Sequence, residues 1–542
     1  MADAKEIVRR HDRLKADRAM RETLWQEIAE VFRPLRADFT VKRNDGERRG
    51  RQRFDGTPSI AGDNLASGLW GMVTNSANEW FTLSHEDPAI ARSEAVSQWL
   101  EIVTRRMRAE FAGNGQRFYA RALEVYQELV FFGTGLLYVD EAPDMGRLRF
   151  SARKISECVL GQNDEEVIDT VYRKWEWTAR QAVARWGDKA PTKCREAMAK
   201  DPDERFWFIH AVEPNEGRNP RYEDSRGMRF RSCTVCLETM EVVQEGGYRE
   251  FPYMVPRWST DTGSVYGDGP AMLAQTDANI LQAMTKTHLV ASQKAADPPL
   301  LAKDENSMPR VRVTPGGITY GAVSPDGRPL VVPLETRGVF TLTEEMLAQR
   351  RQAVRDAFHA SLLLMSNMPG RTATEVLAMQ EEKLRLMGPN LGRVQSEFLD
   401  PLIERAFAIM YRAGAFPPPP EELAEAPELR VEYVSPLARA QRASEGGAIM
   451  RTVEAMGPLA QVKPEVMDNF DFDAIARGLA EAFGMPASML RAPEKVMEQR
   501  QARVEGAQAD AQNDQMAGMA QMLPGLAKAA KDMGVMPAGG AA

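Results

Sequence analysis

The clearest periodicity in the chain comes from two runs of apolar residues. Val96, Leu100, Val103, Met107 and Phe111 are spaced by 4, 3, 4 and 4 residues, which predicts an amphipathic helix over 93–112. Met387, Leu391, Val394, Phe398 and Leu402 repeat that spacing inside a longer helix predicted over 374–413. Pro389 and Pro401 each remove a backbone donor from it, so bends are expected there. Gly414 and the four prolines from Pro417 to Pro420 end it.

Ahead of these, residues 3–32 predict one or two charged helices with Leu14, Leu24, Ile28 and Phe32 on one face, stopped at Pro34. A helix from Ser59 places Ile60, Leu65, Leu69 and Met72 together, and Trp80-Phe81-Thr82-Leu83 predicts a strand. Residues 117–132 predict a further helix, followed by Gly133-Thr134-Gly135 and the apolar strand Leu136-Leu137-Tyr138-Val139. From Phe150 to Pro256 the pattern turns to strands, among them Val167 to Arg173 and Phe206 to Val212, interrupted by a helix at 178–187. The run Val242 to Tyr248, which holds Gly246-Gly247, contains a hairpin signal.

The centre of the chain predicts two helices joined by a small β excursion. Gly263 to Gly269 lead to Pro270, a residue favoured in a first helical turn, and a helix reaching about Ala296 with Leu273, Ile280, Leu281, Met284 and Val290 as its apolar stripe. A β unit follows through Val311-Arg312-Val313, Gly316 to Tyr320 and Leu330 to Pro333, turning at Pro325-Asp326-Gly327-Arg328. Thr341 with Glu344 forms a capping box for a return helix to Leu364, and Thr372 with Glu375 a second box after the loop Met365 to Gly370. Beyond the long helix, Leu429 to Val434 predicts a strand, and 437–456, 471–483 and 493–522 predict helices. From Gly506 the chain is rich in Ala, Gln, Met and Gly, a composition compatible with a thin barrel helix or with disorder.

Composition narrows the class. With 542 residues and 43% hydrophobic content the chain supports several cores. A net charge of −8 argues against tight binding of nucleic acid over the whole surface, and leaves open a protein that lets DNA slide past. The 29 methionines suit adaptable packing surfaces. The start has no apolar run like a signal peptide, and no stretch reaches the roughly 18 apolar residues of a membrane helix, so a soluble protein made in a reducing cytoplasm is expected.

Candidate chemistry is sparse. Residues 42–53, dense in Arg and Lys, read as a solvated loop, with contact to nucleic acid or an acidic partner as the alternative. Cys233-Thr234-Val235-Cys236 has no second ligand pair, and on a strand its thiols point to opposite faces, so buried thiols are expected and no metal site. Asp261-Thr262-Gly263-Ser264 matches the short word around an aspartic-protease aspartate. That reaction needs two such aspartates and one copy is present, so a hydrolase would require a homodimer; the other reading is a glycine-rich turn. No Walker loop, His-Glu-x-x-His or nucleophile elbow occurs, and no cofactor is expected. A helical scaffold binding proteins without DNA is a third reading.

The order and spacing of Asn64-Leu65-Ala66-Ser67-Gly68-Leu69, Trp80-Phe81, and Leu129-Val130-Phe131-Phe132-Gly133-Thr134-Gly135-Leu136-Leu137-Tyr138 resemble those of portal, or head-to-tail connector, proteins of short-tailed, podovirus-type bacteriophages. The helix–β–helix centre and Arg371-Thr372-Ala373-Thr374-Glu375-Val376 extend the resemblance over roughly residues 5–480. It implies an α+β, predominantly helical subunit of a ring. Its parts would be an α/β wing (1–262), first stem helix (263–296), β clip (297–340), second stem helix (341–364), tunnel loop (365–371), long wing helix and strand (372–436), helical crown (437–504) and C-terminal barrel helix or tail (505–542). The resemblance also implies a non-enzymatic protein of the virion, a dodecamer at one capsid vertex, assembled in the host bacterial cytoplasm. Double-stranded DNA would pass through it during packaging and ejection. Its partners would be a terminase motor, major capsid and scaffolding proteins, and tail adaptors, with no membrane. Met365, Ser366, Asn367, Met368 and Arg371 would then meet DNA without reading sequence. Arg310, Arg312, Asp326 and Arg328 would meet the motor or tail.

Overall fold

The computed structural model describes residues 3–41, 47, 50, 53–87, 90, 93–113, 117–142, 147–302, 317–334, 340–360, 387–423, 429–433, 446–456, 470–482, 485, 489, 491 and 495–506. The chain divides into two units, one of residues 1–83, 103–418 and 431–437, the other of 84–102, 419–430 and 438–542.

The first unit opens with α1 (Ala4–Asp17) and α2 (Ala19–Phe32). They break at Arg18, whose buried guanidinium donates to the carbonyls of Ile155 (2.8 Å), Ser156 (2.9 Å) and Cys158. Trp25, Ile28 and Phe32 are buried, whereas Leu14 and Leu24 of the expected face are only half-buried. In α3 (Thr57–Val73) Leu65 and Leu69 of the expected face are buried, but Ile60 is 62% exposed and the buried side turns toward Ala61, Gly62 and Ala66. The cause is tertiary. A Cβ on Gly62 would stand 2.3 Å from the Phe131 ring, so that ring sets which side of the helix faces inward.

The strand β1 (Phe81–His85) and the helices α4 (Glu94–Ala112) and α5 (Phe118–Phe132) follow as predicted. Val103, Met107 and Phe111 of α4 are fully buried. Phe111 packs on Trp80 (ring centroids 5.8 Å) and Phe118 (4.9 Å). Gly133 ends α5 in the left-handed region, φ 76°, a cap conformation suited to glycine.

Next come β2 (Leu137–Glu141) and β3 (Leu148–Ala152), an antiparallel pair. A five-stranded antiparallel sheet follows: β4 (Cys158–Gln162), β5 (Ile168–Thr178), β6 (Arg205–Pro214), β7 (Phe230–Cys236) and β8 (Glu241–Tyr248), in spatial order 4-5-6-7-8. Val159, Tyr172, Ile209, Ala211, Cys233 and Val235 pack on one face with Ile7 of α1. Trp175, Phe206, Phe208, Cys236 and Val243 pack on the other with α6 (Ala179–Trp186) and α7 (Thr192–Lys200). Cys233 and Cys236 thus lie on opposite faces, and burial pushes the Cys233 thiol up to about 12. The expected helix at 178–187 is α6, closed by a capping box between Thr178 and Gln181.

The hairpin signal is misplaced. Gly246 and Gly247 lie inside β8, opposite Ser232 and Arg231. The β7–β8 turn falls at Leu237–Met240, where Met240 has φ 55°. A Cβ on Gly247 would stand 2.9 Å from the Phe230 carbonyl oxygen, so this glycine serves a close approach of two strands. Finally β9 (Tyr253–Met254) returns to β2, giving a three-stranded sheet in the order β3-β2-β9.

The two central helices are α8 (Pro270–Ala296) and α9 (Phe340–Ala357). Between them Leu300–Ala302 (β10) pairs antiparallel with Val331–Pro333 (β11). The long helix is described from residue 387. A π-helical turn, Gln395–Leu399, precedes α10 (Asp400–Arg412). The π turn falls beside Pro401, where a bend is expected: proline lacks the N–H that would reach the residue 397 carbonyl, and a widened turn relieves the clash. The strand β12 (Leu429–Tyr433) forms as expected.

In the second unit the described stretches of the predicted helices are helical at 446–456, at α11 (Phe472–Ala482) and at 495–506. Ile449, Val453, Met456, Phe470, Phe472 and Ile475 line an apolar cavity of 290 Å³. Arg500 clamps Asp473 through two hydrogen bonds of 2.6 and 2.7 Å. Among the described residues no helix is long and apolar enough to cross a membrane.

Candidate channel-forming segments and their footing

The central helix pair is built on a contact between two glycine-rich stretches far apart in sequence. The end of α5 meets the loop before α8. Trp258 N–H donates to the Gly133 carbonyl (2.9 Å), and Gly267 N–H donates to Thr134 Oγ1 (2.9 Å). A Cβ on Gly133 would stand 2.2 Å from the Gly267 carbonyl oxygen, and one on Gly269 would stand 2.8 Å from the Val130 carbonyl oxygen. Backbone thus lies directly on backbone, which only glycine permits. Arg21 of α2 holds the same loop through Asp268 (2.6 Å) and Ser264 Oγ (3.1 Å).

From this footing α8 rises with Pro270 at its first turn, as predicted. Of the predicted stripe only Leu281 is fully buried. Ala271, Ala274, Ala278, Leu281, Gln282 and Thr285 face inward, while Leu273 is 77% exposed and Ile280, Leu289 and Val290 are also exposed. α2, α3 and α5 pack against this helix, and α9 makes the most extensive contact with it. Leu347, Val354 and Phe358 supply the bulk on that side, Phe358 reaching Phe32 (centroids 5.8 Å).

Polar ties fix the pair. Arg350 of α9 meets Asp277 of α8 at 2.6 Å, and Arg351 meets Asp55 at 2.8 Å. Burial raises the Asp55 carboxyl, but hydrogen bonds from Thr57 and Arg351 outweigh it and hold the group below its ordinary value. The buried Gln282 amide accepts from Asp55 N–H (2.9 Å) and donates to the Asp55 carbonyl (2.8 Å). Arg257, 6% exposed, grips Glu397 of the π turn at 2.7 Å and so ties the loop before α8 to the long helix.

The return helix differs from expectation at its start. It is helical at Phe340, so Thr341 stands inside its first turn and not at its cap. It is interrupted after Ala357, where His359 (φ 52°) forms a turn to the Asp356 carbonyl (2.9 Å); Leu364 lies outside the described residues. The box at Thr372 and Glu375 lies outside the described residues.

Of the sequence-predicted site residues, Met365, Ser366, Asn367, Met368 and Arg371 lie outside the described residues, as do Arg310 and Arg312. Asp326 and Arg328 are described and sit together on the exposed turn of the β excursion. There Ser324 N–H donates to the Arg328 carbonyl (2.8 Å), with Gly327 at φ 76°. Ile318, Tyr320 and Val323 beside this turn are 66%, 84% and 60% exposed. Asp261 occupies an exposed turn, its carbonyl accepting from Ser264 N–H (2.9 Å), with Gly263 at φ 81°. That is the glycine-turn reading; an exposed loop carboxylate is not the buried, proton-sharing pair a hydrolase requires.

The glycine seat had a partial signal in the sequence, since both stretches are glycine-dense. The Arg257–Glu397 pair, 140 residues apart, had none.

Residues 4–490 match the model of the bacteriophage head to tail connecting protein family. The chain belongs to that family. It is 32% identical over 504 residues to a probable portal protein of Bordetella phage BPP-1, covering 90% of this chain and 89% of that one. It is also 32% identical over 511 residues to a portal protein of Salmonella phage epsilon15, covering 92% and 90%. Head to tail connecting proteins are structural and not enzymatic, so the hydrolase built on Asp261 has no support from them.

Proposed function

We propose that this head to tail connecting protein is the subunit of a portal ring at one vertex of a phage capsid. Double-stranded DNA passes through the ring during packaging and ejection, and the tail attaches to it. The match over residues 4–490 carries this reading. The apolar side chains exposed on α8 and the β excursion support it, since exposed apolar surface of this kind suits burial against neighbouring copies.

In this reading twelve copies close the ring. Residues 1–262 and 372–436 form the wing, 263–296 and 341–364 the stem, 297–340 the clip, 437–504 the crown, and 505–542 a barrel or tail. Met365, Ser366, Asn367, Met368 and Arg371 form the tunnel loop, touching DNA through its backbone. Arg310, Arg312, Asp326 and Arg328 on the clip meet the terminase motor or the tail adaptors. Major capsid and scaffolding proteins surround the wing, and assembly takes place in the host bacterial cytoplasm. An acidic chain with few lumenal cations suits a conduit, because each phosphate contact adds affinity and would slow passage.

Native mass spectrometry with negative-stain imaging tests the proposal. A closed ring with a central hole is the expected outcome, alone or with scaffolding protein present. A compact dimer under both conditions overturns it. Substituting Arg371→Ala in an assembled ring should leave ring mass unchanged and alter DNA packaging; unchanged packaging would remove the tunnel-loop assignment.

A further inference from the structure

A cleft of 430 Å³ opens between the three-stranded and the five-stranded sheets, on the face of the five-stranded sheet that carries α6 and α7 and beside α6, whose Arg185 and Trp186 line it. Its floor is polar and fixed. His210 on β6 bonds Tyr253 Oη through Nδ1 (3.0 Å) and Ser232 Oγ through Nε2 (2.9 Å). Four arginines line the cleft, Arg149, Arg153, Arg173 and Arg185, against one carboxylate, Asp140.

That imbalance is unusual in a chain of net charge −8. Arg173 is neutralised by Glu157 (2.9 Å), and Arg149 reaches Asp140 only at 3.8 Å. Among the described residues Arg153 and Arg185 form no ion pair. Arg153 lies over the Tyr138 ring at 5.4 Å, and its buried Nε has no hydrogen-bond partner. The Nε of Arg149 and the indole Nε1 of Trp175, a residue 7% exposed, are likewise buried without partners. A half-buried guanidinium that forms no ion pair, near a second one, is costly unless an anion joins it.

The walls add planar surfaces. Trp177 and Trp186 also line the cleft, their ring centroids 5.3 Å apart, and Trp186 is held by donating to Gln244 Oε1 (3.2 Å). Arginines serve a phosphate through forked hydrogen bonds, and tryptophan faces stack on a base.

We propose that this cleft binds a nucleotide, its phosphate seated at Arg153 and Arg149 and its base against Trp177 and Trp186. The phosphate belongs either to a free mononucleotide or to a DNA strand. An acidic peptide would use the arginines but leave the tryptophan faces without a role, so the nucleotide fits better.

Tryptophan fluorescence titrations of the full-length protein at low salt test this with four probes: inorganic phosphate, dAMP, a 5′-phosphorylated hexathymidylate and hexaglutamate. The expected result is saturable quenching by dAMP or by the oligonucleotide, weakened at least tenfold by Arg153→Ala. Tighter binding of dAMP assigns the source to free nucleotide, and tighter binding of the oligonucleotide assigns it to a DNA strand. Should Arg153→Ala fail to fold, protection of Arg153 from phenylglyoxal by dAMP in the unaltered protein replaces it. Four results overturn the proposal: no binding of either nucleotide probe, unchanged affinity or no protection at Arg153, inorganic phosphate binding as tightly as dAMP, or hexaglutamate binding in place of both.

Discussion

Gly133 is the residue on which the central helix pair depends most directly. It sits at φ 76°, with the Gly267 carbonyl oxygen 2.2 Å from where a Cβ would be. Gly133→Ala is expected to destabilise the first unit by about 3 kcal/mol, combining a left-handed backbone with overpacking against fixed main chain; urea unfolding measures it. Glu397→Ala leaves Arg257 buried without its partner, at a cost of about 3 kcal/mol. Exchanging both residues for methionine should recover most of that loss. His210 gives a pH signature. Burial first, then Arg173 and Arg153, hold its imidazole down from 6.5 to about 3. The unfolded chain therefore binds this proton before the folded one. The contribution is complete above pH 6.5 and falls away as pH drops toward 3. His210→Gln should flatten the fall in urea midpoint across that window; an unchanged acid slope would contradict the assignment.

At the scale of elements, α8 shows how packing overrides a hydrophobic count. Its larger apolar residues spell one stripe, yet Ala271, Ala274 and Ala278 are buried and Leu273 is exposed. Close helix approach selects small side chains, and no periodicity in a single helix reveals how near its partner will come. Ala278→Leu should therefore cost about 1–3 kcal/mol through overpacking, seen as a lowered melting temperature. Leu273→Glu should change monomer stability by no more than about 0.5 kcal/mol while blocking ring formation in native mass spectra. The same distinction separates the two glycine pairs: Gly246-Gly247 reads as a turn but sits mid-strand, whereas Asp326-Gly327 reads as a turn and is one.

For the whole molecule, exposed apolar side chains at Leu273, Ile280, Ile318 and Tyr320 mark surface that a lone chain leaves in water. Hydroxyl-radical footprinting should find these positions several-fold less labelled in the ring than in the monomer; equal labelling would place the contacts between subunits elsewhere. The sequence by itself determined most helix and strand positions, the α+β class and the family. Those properties rest on local periodicity, on proline and glycine placement, and on short words kept in order along the chain. It also determined that Cys233 and Cys236 face apart, because strand alternation is a property of the backbone. Tertiary structure alone decided how far the buried sides of α3 and α8 turn from their predicted stripes, the seat of Gly133 against Gly267, and the pairing of Arg257 with Glu397. It alone gathered four arginines and three tryptophans around one cleft. Each of these joins residues distant in sequence. Their contact is settled by how whole elements pack, and no local pattern carries that information.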